Sequence, residues 1–123
     1  MGYWLWEPAT GLVMQTLAIP RGQTALAGGQ ADAATGKIRV RAERGQTEYG
    51  ISSTAFLEHA FRTDSYVLEI TFHDDGSWSY VSDTMLTVRG QPEPFRHRDV
   101  NRLSKVAEPT PNPLMLLGTS QGA

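Results

Sequence analysis

Three polar side chains at alternate positions, His97, Asp99 and Asn101, carry most of the chemistry this chain offers. They sit in the stretch from Phe95 to Val106, which reads as a strand. With period two, Arg96, Arg98, Val100 and Arg102 share one face, and Phe95, His97, Asp99, Asn101 and Leu103 share the other. Unpaired guanidinium groups are almost never buried, so the arginine face is expected to be the wet one. That turns the histidine, the aspartate and the asparagine inward, between apolar neighbours. Buried polar groups need partners. The inward row is therefore either a hydrogen-bond network tying strands together or a ligand site.

The other candidates are weaker. His73 precedes the turn Asp74-Asp75-Gly76-Ser77 and reads as a solvated turn residue. His59 falls on a short helical segment, opposite some of its apolar positions. Three scattered histidines do not supply the convergent ligands of a zinc site. Asp74 and Asp75 are adjacent in a turn, where side chains point apart, which argues against paired acid/base work. Nothing resembles a nucleophile elbow. Gly28-Gly29 lacks the spacing of a phosphate loop and marks a bend or a close backbone approach.

Composition narrows the field. The chain has 123 residues, enough for one modest core. It is 40% hydrophobic and 20% charged, with a net charge of −2 and no basic block, so nucleic acid is not an expected partner. Without cysteine, disulfides, thiolate catalysis and thiolate metal sites are excluded. No apolar run approaches the ~20 residues that span a bilayer, and the first residues lack the pattern of a signal peptide. The expected compartment is the cytoplasm, with no membrane partner.

Short alternating segments must position the polar row. Strands are expected at Tyr3 to Glu7, Leu12 to Ile19, Gln23 to Ala27, Lys37 to Glu43, Tyr66 to His73, Trp78 to Arg89 and from Phe95 onward, about seven in all. Asp74-Asp75-Gly76-Ser77 reads as a hairpin turn. Ser53 to Phe61 has helical spacing, with Ser52 or Ser53 as N-cap, and can cover one end of a barrel. Trp4, Trp6, Tyr66, Phe72, Trp78 and Tyr80 form core or line a cavity. The fold expected is all-β, an antiparallel up-and-down barrel over residues 1–107 with one short helix, followed by a flexible Pro-containing tail, 108–123, whose Leu114-Met115-Leu116-Leu117 can dock on a surface. The chain opens in mid-strand with two tryptophans in six residues, and strands are expected ahead of it.

Several of these stretches are familiar together. Gly2-Tyr3-Trp4-Leu5-Trp6-Glu7-Pro8-Ala9-Thr10-Gly11, Met14 to Gly22, Ala27-Gly28-Gly29, Thr47-Glu48-Tyr49-Gly50, Gly76-Ser77-Trp78-Ser79-Tyr80 and His97 to Leu103 resemble the nitrobindin-like, FABP-like proteins, also called THAP4-like haem-binding β-barrel proteins. The resemblance covers roughly residues 2–107. It implies a calycin-like barrel of ten strands, related to fatty-acid-binding proteins and lipocalins, of which about three strands and a Gly-x-Trp-x-Gly-x-Gly signature have no counterpart here. Exposed strand edges would then invite a homodimer.

The resemblance also implies haem b at the barrel mouth, held by a histidine of the last strand, and in the ferric form peroxynitrite isomerisation and nitric oxide binding. His97 is the matching histidine, although an ungapped count back from Leu103 puts the family's ligand position on Arg98. The expectation drawn from both readings is a binding module for a small hydrophobic ligand, fatty-acid-like or porphyrin, contacted by His97, Asp99, Asn101, Trp4 and Trp6. The alternative is a haem-dependent peroxynitrite isomerase with His97 on the iron.

Overall fold

The computed structural model describes residues 1–115 of the chain. Eight strands form one sheet: β1 (Gly2–Glu7), β2 (Leu12–Ile19), β3 (Gln23–Asp32), β4 (Lys37–Arg44), β5 (Gly50–Ser53), β6 (Phe61–Phe72), β7 (Trp78–Val88) and β8 (Phe95–Leu103). A helix, α1 (Ala55–Ala60), lies between β5 and β6. The spatial order is β1-β2-β3-β5-β4-β6-β7-β8, so the sheet is all-β and barrel-like but not closed, with β1 and β8 as its edges.

Alternation builds the inner face. Val13 and Leu17 of β2, Ala25 and Ala27 of β3, Val40 and Ala42 of β4, and Leu68 and Ile70 of β6 point to the same side. The core gathers there, with Ala27, Val40 and Ala42 essentially inaccessible. Small residues on β3 let the sheet coil tightly. At Gly29 the Arg39 carbonyl oxygen occupies the space a Cβ would need, and at Gly28 the Tyr49 ring does. Tyr49 takes φ +54° to reach that position.

The sequence expectations hold for the strand pattern and miss in places. Gly28-Gly29 lies inside β3, which runs on to Asp32 rather than ending at Ala27. β6 begins at Phe61, five residues earlier than its alternation signals, and carries a bulge between Thr63 and Ser65 that hides its period. β5, four residues long, escaped the count. It pairs antiparallel with β3 and parallel with β4, an insertion no local pattern encodes. The N-cap of α1 is Thr54; Ser52 and Ser53 belong to β5. The Thr54 hydroxyl donates instead to the Arg21 carbonyl, tying the helix to the β2–β3 turn.

The last strand stops at Leu103. Beyond it, Leu114 and Met115 are exposed, while Leu116 and Leu117 of the expected docking patch lie outside the described residues. No helix among the described residues is long and apolar enough to cross a membrane.

Candidate functional site

Register decides which side chains of β8 face the concavity. β7 and β8 pair without interruption from Trp78↔Leu103 to Leu86↔Phe95. Thr84 is opposite His97, Ser82 opposite Asp99 and Tyr80 opposite Asn101, all on the inner face with Trp78 and Leu86. The pairing contains no bulge, so Arg98 cannot exchange places with His97. An outer clamp holds this register. Arg96 and Arg98 each make two hydrogen bonds to the Asp83 carboxylate, Arg98 at 2.8 and 2.9 Å and Arg96 at 3.1 Å for both. The bonds from Arg98 and then Arg96 hold the Asp83 carboxyl well below the usual carboxylate range, and Asp83 in turn raises Arg98. Arg102 reaches Asp75 and Ser77 in the β6–β7 turn.

One expectation fails here. The inward row is not buried: every residue of β8 is exposed, because β8 is an edge and the sheet does not close over it. The alternation argument identifies faces and cannot tell a closed barrel from an open one. Trp4 and Trp6 are likewise inward by register and yet exposed on the opposite edge, so neither belongs to the core.

The expected site residues do not share one hollow. His97 lines a cavity of about 560 Å³ at one end of the sheet, with Leu17, Ile51, Leu57, Thr84 and Leu86 among its walls. Helix α1 covers that end with Phe56 and Leu57, the latter buried. Ion pairing between Arg44 and Glu58 fastens the helix to β4. The His97 ring makes a tilted contact with Phe95, and no hydrogen bond to it exists among the described residues. Asp99 and Trp4 border a smaller recess of about 320 Å³. Trp6 lines an apolar cleft of about 500 Å³ at the other end, together with Trp4, Trp78 and Phe72.

Asp99 and Asn101 form the network that was one of the two readings of the row. Tyr80 Oη donates to Asp99 Oδ2 at 3.1 Å and accepts from Asn101 Nδ2 at 2.9 Å. With both polar groups spent on Tyr80, the imidazole of His97 is left as the unpartnered group of the row.

Sequence reasoning missed the cross-sheet contact that separates the hollows. Tyr66 Oη on β6 donates to Gln15 Oε1 on β2 at 2.9 Å, although these strands are not neighbours in the sheet. Burial pushes the Tyr66 hydroxyl up from its ordinary value, partly offset by that bond. Tyr66 borders both the His97 cavity and the Asp99 recess. A signal did exist: Gln15 is the polar exception on the Val13, Leu17 and Ile19 face of β2. His73 and His59 stand apart from His97; His73 Nε2 is 2.8 Å from Ser79 Oγ, and His59 is exposed on α1.

Comparison with known families gives one match over most of the chain. The family described as THAP4-like, heme-binding beta-barrel domain matches residues 1–105. The chain belongs to it. No curated protein and no solved structure matches this chain. As a member of the THAP4-like family, it carries a barrel-type binding domain.

The haem that the family name implies can be tested against the residues present. They suit it in two respects: the cavity under α1 is walled mainly by aliphatic and aromatic side chains, and its one imidazole is free of hydrogen bonds. Arg21 lies at the same cavity, where a guanidinium can meet a carboxylate.

Proposed function

We propose that this chain binds haem in the cavity beneath α1, with His97 as the axial ligand to iron. The observation that carries the reading is the uninterrupted β7–β8 register, which turns the imidazole of His97 into the cavity and Arg98 out to Asp83. His97 would supply a ring nitrogen to the iron. Leu17, Ile51, Phe56, Leu57 and Leu86 would exclude water from a flat apolar ligand, and Arg21 would pair with a carboxylate of its edge. Asp99 and Asn101 keep Tyr80 in place and do not reach the ligand. Trp4 and Trp6 stand at the other end and do not contact it either.

When bound, haem supplies an iron with a further coordination position for a small ligand such as nitric oxide or peroxynitrite. Everything else is the work of the protein: orienting the ring, shielding it, and holding the imidazole in line.

Titration of the purified protein with haem, followed at the Soret band, tests the assignment. A saturable, red-shifted band is expected for the unaltered chain and for Arg98→Ala, and its loss for His97→Ala. A band indifferent to His97→Ala, or no saturable band at all, would overturn histidine ligation.

A further inference from the structure

The cavity beneath α1 has mainly apolar walls, and the polar side chains that line it are Arg21, Gln23, Thr63, Tyr66, Thr84 and His97. Most of them are committed elsewhere. Tyr66 gives its hydroxyl hydrogen to Gln15. Thr63, buried at the start of β6, gives its own to Gln23 Oε1 at 3.1 Å. Thr84 stands opposite His97 on the neighbouring strand and shares its wall. Arg21 is exposed, in the turn between β2 and β3.

Gln23 is the exception. The Thr63 hydroxyl holds its Oε1, and its amide nitrogen makes no hydrogen bond among the described residues. A carboxamide is planar, so fixing Oε1 also fixes the direction of Nε2 and its donor hydrogens. Gln23 opens β3, on the same face as Ala25 and Ala27. In the sheet, β5, β4, β6 and β7 separate β3 from β8. Gln23 and His97 nevertheless line one cavity, so they meet it from opposite walls. β3 and β6 are interior strands, each paired on both sides, and the placing of Gln23 and Thr63 hangs on neither edge of the sheet. Once an apolar ligand has emptied the cavity of water, a donor left without an acceptor costs free energy. Such a donor favours an occupant that accepts.

We propose, on the reading that haem binds with His97 on its iron, that Gln23 selects the small ligand on the opposite face of the haem. Its amide hydrogens donate to a small anion whose outer atom accepts hydrogen bonds, such as azide. That bond is charge-assisted, and it is absent for a ligand of low polarity such as carbon monoxide. Thr63 is the positioning residue, because its hydroxyl sets which way the carboxamide turns. The aliphatic and aromatic walls offer the anion nothing comparable.

Two spectra of the haem-loaded protein test this. Azide affinity of the ferric form is read at the Soret band, and the C–O stretch of the ferrous carbon monoxide adduct is read in the infrared. In Gln23→Leu, azide is expected to bind about ten- to a hundredfold more weakly. The C–O stretch is expected to rise, because a nearby donor draws electron density toward the ligand oxygen and weakens the C–O bond. Thr63→Val keeps the glutamine and frees its carboxamide, and both readings are expected between those of the unaltered chain and Gln23→Leu. A glutamine that only ties β3 to β6 would lower the urea midpoint when replaced and leave both spectra as they were. Unchanged spectra in loaded Gln23→Leu, or a C–O stretch that falls, would overturn the proposal and leave His97 on the iron. No saturable Soret band from the unaltered chain would instead overturn haem binding itself, and the role of Gln23 with it.

Discussion

Replacing Val40 with alanine probes the closed back of the sheet. Val40 lies on β4, is fully inaccessible, and touches the inner face where β3 and β6 meet it. The substitution removes two carbons from a packed site. At about 0.8 kcal/mol per buried methylene the transfer loss is about 1.6 kcal/mol. A residual void of roughly 40 Å³, at about 24 cal/mol per Å³, adds about 1 kcal/mol. The sum, about 2.5 kcal/mol, is a large share of the roughly 5–15 kcal/mol that holds a typical domain together. Urea unfolding followed by tryptophan fluorescence reads it. With a slope of about 1.5 kcal/mol per M, the midpoint falls by roughly 1.7 M. Val106→Ala, at a position 97% exposed, serves as the matched control and moves the midpoint little. Equal shifts in the two variants, or a loss under about 0.5 kcal/mol at Val40, would refute the placing of the core against β4.

Tyr66→Phe removes the bond to Gln15 that spans the concavity. A loss of about 1 kcal/mol in the same urea assay is expected, and no loss would mean that the tie does not hold β2 to β6. Asp83 sets an acid limit. Its folded pKa lies below its unfolded one because Arg98 and Arg96 bind the carboxylate. The stabilisation is therefore complete above the unfolded value of about 4 and is lost as pH falls below it toward the folded pKa. Melting temperature should fall between neutral pH and pH ~3, and fall less in Asp83→Asn, whose side chain does not titrate; identical profiles in the two proteins would remove Asp83 from the account.

Period two alone was enough to sort β8 into an arginine face and a His97–Asp99–Asn101 face, because side chains alternate on any strand whatever surrounds it. The same rule found β4 nearly to the residue, and flanking turn residues bounded β2 and β7 as closely. The residue types in the first thirty positions and from His97 to Leu103 were also enough to point to the haem-binding barrel family to which the chain belongs.

Burial was not legible in this way. Whether an inward position is covered depends on the strands beyond it, and β1 and β8 have none on their outer sides. The polar row was thus read as one group, and only the pairing with β7 split it, giving Asp99 and Asn101 to Tyr80 and leaving His97 free under α1. The tie between Gln15 and Tyr66 joins residues 51 positions apart. Contacts of that kind follow from how far the sheet coils, which the closely packed Gly28 and Gly29 permit, and local sequence carries no record of them.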